Sequence, residues 1–156
     1  MYPIFIFINR RLDDEEESAD VASIVFFKCL ENLHKFKFQG VPFSAWLFRI
    51  AVSEVNQFFR RKKKHDRAVS IQDHHISKLF EELEHRPDRD PHWFITRLLE
   101  NLSADDLQFL ELRFFEGHSF KEMGYLLGLT EVNAKIKTYR ILKKLKIVAE
   151  ELSEEE

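Results

Sequence analysis

The last third of the chain, Leu102 to Lys146, restricts the fold more than any other part of the sequence. It contains two start signals for helices. Ser103 is followed three residues later by Asp106, and Ser119 is followed three residues later by Glu122. This spacing fits a capping box, in which a hydroxyl and a carboxylate satisfy the first free backbone N–H groups of a helix. The sequence therefore predicts two short helices, one after each serine.

Glycines stand where these two helices should end. Gly117 follows the first apolar run and Gly128 follows the second, as glycines at helix C-termini do. Thr130 can then cap a third helix, which is predicted to run from Glu131 to about Lys146. Two helices joined by the three-residue turn 128–130 form a helix-turn-helix pattern, whose second helix enters the major groove of duplex DNA.

The predicted third helix has one apolar face and one cationic face. Spacings of four, three and four residues place its core stripe on one side, namely Ala134, Thr138, Ile141 and Leu145. Lysine and arginine on the other side can neutralise phosphates, and an asparagine near the helix start can reach a base edge. The predicted duplex-contacting residues are Thr130, Asn133, Lys135, Ile136, Lys137, Arg140 and Lys143. An ordinary solvated basic face is the alternative, against which the caps and the glycine turn argue.

Acidic and basic residues are grouped in separate segments of the chain. The net charge is −3, which would be unusual for a protein that coats DNA by charge alone. Residues 60–64 are nevertheless five consecutive basic residues, whereas residues 13–17 are all acidic and residues 150–156 are mostly acidic. A local basic face matters more than the total charge for binding a nucleic acid.

Several classes of function have no support in the sequence. Cys29 is the only cysteine, so we expect no disulfide framework, no cysteine zinc site and a reducing, cytoplasmic location. Phosphate-binding glycine loops, nucleophile elbows and paired metal ligands are missing, so we expect no cofactor, no metal and no enzyme activity.

The apolar start, Met1 to Ile8, is too short to span a membrane. We expect it to pack inside the first domain, with no membrane insertion.

Two helix-rich blocks flank a polar middle, and no segment alternates with period two. We therefore predict an all-α fold of two small helical domains, at residues 1–66 and 92–152, joined by a short linker at 67–91. The first block should contain helices at Asp20 to Leu33 and at Phe43 to about Lys62, the latter opened by Pro42. Because the linker is polar, we expect the blocks to move independently, although an autoinhibited compact form would protect the same linker.

The helix after Pro42 carries a long polar face. Its members are Arg49, Ser53, Asn56, Gln57 and Arg60, with Trp46 at the border. A cationic track beside an aromatic ring is suited to a separated DNA strand, because unstacked bases regain stacking on the ring. Trp46 is equally consistent with a core position. Glu54 projects toward the apolar side, which predicts either an ion pair or a contact surface.

The two blocks together resemble the bacterial RNA polymerase sigma factors. Residues 40–51 (GVPFSAWLFRIA) and 58–61 (FFRR) look like conserved region 2. Residues 102–130, with LSADDL, RFFEG, SFKEM and LLGLT, look like region 4. The short linker leaves no room for region 3, which is similar to the extracytoplasmic-function group of the sigma-70 family. This resemblance covers residues 4–145 and implies a sigma factor, which recruits core polymerase to promoter DNA and assists promoter opening.

The resemblance also assigns roles to individual residues. Asp20, Val21 and Phe26 would dock on the β′ clamp helices, and region 4 would meet the β flap. Lys135, Lys137 and Arg140 would read the −35 element. The −10 element would be held by Trp46, Arg49, Ser53, Asn56, Gln57, Arg60 and Arg61. An anti-sigma factor is a further implied partner.

The sequence departs from the family pattern at several positions. Ser53 and Gln57 stand where Asn and Asp are common, and Gly124 stands where Ala is usual, at a cost of about 1 kcal/mol in a helix. The first block is also expected to start late and to be shortened. Two alternatives stay open: a helix-turn-helix regulator that acts without polymerase, and a decoy that binds an anti-sigma factor.

Overall fold

The computed structural model describes residues 2–63 and 92–154, and these two stretches are helical and contain no strand. A 3-10 turn at Leu33–Lys35 follows the second helix, and a π-helical turn at Glu111–Phe115 follows the fifth. The seven α-helices of the described residues are α1 (Tyr2–Leu12), α2 (Glu15–Asn32), α3 (Phe43–Lys63), α4 (His92–Glu100), α5 (Ala104–Leu110), α6 (Phe120–Leu127) and α7 (Glu131–Glu154).

The first block is a bundle of α1, α2 and α3. One face of α1 is buried, with Phe7 and Ile8 fully inaccessible to solvent. Phe7 packs edge-on against Phe48 of α3, with ring centroids 5.7 Å apart. Burying a side chain of this size contributes about 1.5–3 kcal/mol. The predicted packing of the apolar start inside this block is therefore confirmed.

Capping residues set the helix starts close to the predicted positions. The Ser119 hydroxyl accepts from the Glu122 N–H, and the Glu122 carboxylate accepts from the Ser119 N–H, so the predicted capping box is complete. Ser103 accepts from the N–H of Asp106 at 3.1 Å. Helix α2 begins earlier than predicted, at Glu15, because the Asp14 side chain caps it.

The helix-turn-helix has the predicted geometry. Gly128 ends α6 in the left-handed conformation, with φ of 68°, which a residue with a Cβ adopts only at a cost. Thr130 Oγ1 accepts from the N–H of Asn133 at 3.0 Å and so caps α7. Helix α7 continues past the predicted end, to Glu154.

The two blocks share one core in this structure. Apolar residues of α1–α3 and of α5–α7 belong to a single buried cluster, and α3 packs directly against α6. The expectation that the blocks move independently is therefore not met here. The missing information was a set of contacts between residues about 100 positions apart, which no local pattern reveals. The predicted linker, residues 67–91, and the predicted end of the first domain lie outside the described residues.

Candidate nucleic-acid interface

The first candidate surface lies on α7, the second helix of the helix-turn-helix. Its core stripe is seated as predicted, since Ala134, Thr138 and Ile141 are buried. The Thr138 hydroxyl donates to the Ala134 carbonyl at 2.9 Å, so the one polar group of that stripe is satisfied inside the helix. The predicted contact residues lie away from the core. Thr130, Asn133, Lys135, Ile136, Arg140 and Lys143 are exposed, and Lys137 is half-buried.

An open groove of about 480 Å³ runs along one side of α7. Asn133, Lys137, Arg140 and Lys144 line it at spacings of four, three and four, which is one helix face. Asp106 of α5 stands at its edge, 3.7 Å from the Lys137 ammonium. The groove thus presents three cations and one amide together.

The structure divides the predicted cations of α7 between two faces. Lys135 precedes Lys137 by two residues, which is a rotation of about 200° around the helix. Neither Lys135 nor Lys143 lines the groove. Lys144 does, four residues after Arg140, although it was not among the predicted contact residues. In the sequence, the spacing of four, three and four residues that begins at Asn133 would have identified Lys144 as part of the same helix face.

The second candidate surface is the polar face of α3, and the second block contacts part of it. The Arg49 guanidinium lies 5.0 Å from the ring centroid of Tyr125, on α6. The Gln108 Nε2 of α5 donates to the side-chain oxygen Oδ1 of Asn56 at 3.4 Å. Arg49 nevertheless remains exposed, as are Ser53, Gln57, Arg60 and Arg61, and Asn56 is half-buried.

An aromatic cluster lies at the start of the same helix. Trp46 is half-buried and contacts Phe36 and Phe43, with ring centroids 5.3 Å and 5.4 Å away. Phe38, in the loop before α3, is 75% exposed. Contacts with these rings hold the Trp46 ring in place and leave part of it accessible to solvent. Trp46 is therefore neither a fully buried core residue nor an unrestrained ring on which a base could stack.

The third candidate surface is the outer face of α2, where one predicted residue is misplaced. Val21 is only 5% exposed and packs in the core, so its assignment as a docking residue is wrong for this structure. Phe26 is half-buried against the same core, whereas Asp20 is exposed. The register of α2 places Val21 on the buried side, one residue from Asp20 and 100° around the helix.

Other residues of α2 offer the apolar contact area instead. Ile24, Phe27 and Leu30 follow one another at spacings of three and are 38%, 62% and 71% exposed. They lie on the side of Asp20, away from the core. Sequence reasoning missed them because α2 is apolar on more than one side, and only packing reveals which side is buried. An exposed apolar patch rimmed by charge is typical of a protein-binding surface.

Glu54, which the sequence left with two alternatives, forms an ion pair. Its side chain is 4% exposed and meets the Lys28 ammonium, which links α3 to α2 within the first block. Pairing offsets the cost of burying the carboxylate. Glu54 is therefore part of the bundle and not part of a contact surface.

The described parts of the chain contain neither a candidate metal site nor a candidate membrane-spanning helix. Within residues 2–63 and 92–154, no group of three or more His, Cys, Asp or Glu side chains is arranged to hold a metal ion. In those same stretches, no helix combines the length and the apolarity needed to cross a membrane.

Comparison with known proteins matches both blocks to family descriptions. "Sigma-70 region 2" matches residues 4–65, and "Sigma-70, region 4" matches residues 95–145. The ECF RNA polymerase sigma factor ShbA of Streptomyces griseus is 27% identical over 144 residues, covering 85% of this chain and 71% of that protein. The ECF RNA polymerase sigma factor SigM of Bacillus subtilis is 23% identical over 148 residues, covering 94% and 88%.

A solved structure shares the fold. It is the sigma factor RpoE in complex with the anti-sigma factor NepR from Bartonella quintana. The likeness has a TM-score of 0.58 at 16% identity and covers 95% of this chain and 90% of that one. Both blocks, in the same order, are thus accounted for by one family.

Proposed function

The chain belongs to the extracytoplasmic-function group of the sigma-70 family and directs core RNA polymerase to promoters, and from this premise we propose how its three surfaces divide the work. The observation that carries the proposal is that one chain combines a capped helix-turn-helix, with three of its cations in one groove, and a bundle that exposes a polar face on α3. The chain supplies recognition and no catalytic step, and it acts in the cytoplasm with its polymerase.

The α7 groove reads the −35 element as duplex DNA. Lys137, Arg140 and Lys144 provide three cationic contacts for phosphates, and Asn133, near the helix start, reaches the base edges. Ile136 also lines the groove and contacts base methyl groups, whereas Lys135 and Lys143 lie outside the groove and contact the flanking backbone. This division assigns sequence reading to the N-terminal half of α7, as in other helix-turn-helix proteins.

The polar face of α3 holds the separated −10 strand. Arg60 and Arg61 are exposed and attract the phosphate backbone, while Asn56 and Gln57 carry amides that match base edges. The half-exposed ring of Trp46, fixed by its aromatic neighbours, stacks on an unpaired base. Arg49 belongs to the same face and remains exposed while its guanidinium contacts the Tyr125 ring.

The outer face of α2 docks on the β′ clamp helices of the polymerase, and the second block meets the β flap. Phe27 and Leu30, which are more than half exposed, supply apolar anchors, and Asp20 supplies a charge at their edge. This surface extends the docking site beyond the residues predicted from the sequence. An anti-sigma protein is a further proposed partner, supported only by a shared fold with RpoE, which was solved with NepR.

The test is reconstitution with core polymerase. The wild-type chain should co-elute with the core enzyme and give run-off transcripts, whereas the double variant Phe27→Ser, Leu30→Ser should bind core polymerase at least tenfold more weakly. The matched control is Ile147→Ser, which removes a 48% exposed apolar side chain from the distal part of α7. A chain that binds promoter DNA but never core polymerase would be a regulator of another kind, and the proposal would fail.

A further inference from the structure

The cations that line the α7 groove differ in how firmly they are held. The Lys137 ammonium lies 3.7 Å from the Asp106 carboxylate and 5.0 Å from the ring centroid of Phe109, and both partners belong to α5. The Lys137 side chain is 34% exposed. Arg140 and Lys144, farther along the same groove, are exposed. A neighbouring helix therefore restrains Lys137, whereas the two later cations project into solvent.

The carboxylate that restrains Lys137 is itself fixed by the start of α5. Asp106 lies in the first turn of that helix, where the Ser103 hydroxyl accepts from its backbone N–H at 3.1 Å. A carboxylate in the first turn is stabilised by the helix dipole. Residues 107–109, which follow directly, are buried and anchor the helix. Asp106 thus holds a negative charge at one point on the edge of the groove.

This restraint changes what a lysine contributes to DNA binding. A free lysine carries its charge on a flexible four-carbon stem, so it can meet phosphates in many registers of the duplex. A partly exposed ion pair biases the orientation of Lys137 by about twofold to fivefold. The ammonium has three donors, so a phosphate in the matching place can share Lys137 with Asp106. A phosphate elsewhere has to pull the ammonium away from its partner.

Asp106 also acts on phosphates directly. Its side chain is 27% exposed at the edge of the groove, and like charges that approach each other raise the free energy of a complex. Non-specific complexes place phosphates at many positions around the groove, so they meet this repulsion more often than a complex in one fixed register does. A group that disfavours wrong arrangements is a general source of specificity.

The register of α7 on the duplex decides which base edge Asn133 meets. Asn133 lies four residues before Lys137, about one helical turn away on the same face. Phosphate contacts fix the orientation of a protein on the duplex, and base contacts then read the sequence. A phosphate held by Lys137 at a fixed point therefore places the Asn133 amide relative to the base pairs.

We propose that Asp106 is a positioning residue for −35 recognition, which acts through Lys137 to restrict α7 to one register on the duplex. It lowers non-specific affinity more than specific affinity, and it thereby raises sequence discrimination. The inference rests on the proposed assignment of the α7 groove to duplex DNA, and it gives an acidic residue a role in a cationic reading surface.

The test compares the whole wild-type chain with Asp106→Asn, which keeps the size of the side chain and removes its charge. The matched control is Asp105→Asn, which removes an exposed carboxylate from the same turn of α5 but from outside the groove. The probes are a pool of duplexes with a stretch of random base pairs, and the single duplex that the wild-type chain enriches most from this pool. Fluorescence anisotropy at several salt concentrations gives the affinity for each probe.

Asp106→Asn should bind the unselected pool about threefold more tightly, with a slope of log affinity against log salt that is steeper by up to about 0.9, because Lys137 can then neutralise any phosphate. Its affinity for the enriched duplex should rise less, so that discrimination between the two probes falls. Asp105→Asn should leave discrimination unchanged, and Asp106→Glu, which keeps a carboxylate, should retain most of it. Weaker binding of Asp106→Asn to both probes would show that Asp106 supports the fold, and would overturn the proposal.

The same change in a Lys137→Ala background separates positioning from the effect of charge alone. Asp106→Asn should not alter discrimination there, because the residue through which it acts is missing. An equal loss of discrimination in both backgrounds, or an Asp106→Asn chain that behaves as the Asp105→Asn control does, would overturn this inference and leave the assignment of the groove intact. A wild-type chain that binds no duplex would overturn both.

Discussion

His118 is a buried, titratable residue at the contact between the two blocks. It is 5% exposed, its Nδ1 lies 3.2 Å from a Glu122 carboxylate oxygen, and its Nε2 is buried with no hydrogen-bond partner. Burial lowers the pKa of His118, and the hydrogen bond and charge of Glu122 oppose this only in part. The remaining contacts are the Phe48 ring and Arg113, which donates to the His118 carbonyl. A proton on Nε2 would therefore find no acceptor.

This arrangement predicts a loss of stability in mild acid. The folded pKa of His118 is lowered, so the unfolded chain, in which histidine has a pKa of about 6.5, binds the proton first. The free energy of unfolding should therefore fall as the pH drops below about 6.5. His118→Gln keeps a polar side chain and should flatten this fall. Urea unfolding between neutral pH and mild acid provides the measurement, and equal slopes for both proteins would contradict the assignment.

Gly124 predicts an effect opposite to helix propensity. Alanine within a helix is favoured over glycine by about 1 kcal/mol, yet a Cβ at Gly124 would lie 2.7 Å from the Leu129 carbonyl oxygen and 3.2 Å from the Glu131 nitrogen. Because both neighbours are backbone atoms of the turn, Gly124→Ala should destabilise the chain by about 1–3 kcal/mol through overpacking. Thermal unfolding of the wild-type chain and of Gly124→Ala measures this difference in stability. Gly117→Ala, whose added Cβ meets nothing within 4 Å, isolates the conformational cost alone.

At the scale of elements, α7 predicts a face-specific salt dependence. Changing Lys137, Arg140 and Lys144 together to Ala should lower the slope of log affinity against log salt by about 0.9 for each lost phosphate contact. Lys135→Ala with Lys143→Ala, two lysines that do not line the groove, should lower it less. Titration of a −35 duplex at several salt concentrations checks this. Equal losses from both sets would mean that charge alone, and not the groove, binds DNA.

Helix α3 predicts a defect in strand opening rather than in recruitment. Changing Asn56 and Arg60 to Ala removes two side chains from the polar face and none from the α2 docking face. Core-polymerase binding should stay nearly unchanged, while permanganate-detected melting of promoter DNA should fall. A template with a pre-melted bubble should then recover much of the lost transcription. Collapse of polymerase binding in this variant would instead make the face a docking or folding element.

Short-range signals predicted most of the element boundaries. Ser119, Gly128 and Thr130 act on backbone groups within a few residues, so their effect is readable from local spacing. The misassigned Val21 shows the limit. Helix α2 is apolar on several sides, and its buried side is chosen by α1 and α3. A pattern along one helix carries no information about which side its neighbours cover.

At the scale of the whole molecule, the contact between the two blocks predicts that a cut chain stays together. A protease site inserted at the predicted linker, and cleaved after folding, would leave two fragments held only by the interface around Arg10 and Phe48. These fragments should co-elute in gel filtration at low and at high salt, because the ion pairs of Arg10 are buried and the core between the blocks is apolar. Glu116 accepts from Arg10 at 2.8 Å, so fragments carrying Glu116→Lys should separate at both salt concentrations. Immediate separation of the wild-type fragments would show that the linker alone keeps the blocks near each other.

The pairing of the blocks was beyond sequence reasoning for a physical reason. Arg10 lies 101 residues from Glu111 in the sequence. A π-helical turn at Glu111–Phe115 positions the carboxylates that pair with Arg10, and the amino-acid composition does not predict such a turn. The fold of each block follows from local spacing, and the cations that line the α7 groove follow from its periodicity. The relation between the blocks depends instead on a few side chains whose buried environment exists only once both are folded.

The shared core of the two blocks has a consequence for the order in which the chain can fold. Synthesis runs from the N-terminus, so the first block leaves the ribosome well before α5, α6 and α7 are made. The side chains of α3 that pack against α6 then have no partner in the second block. A nascent chain therefore exposes apolar surface until its last helices are made, and completion of the core removes that surface from water.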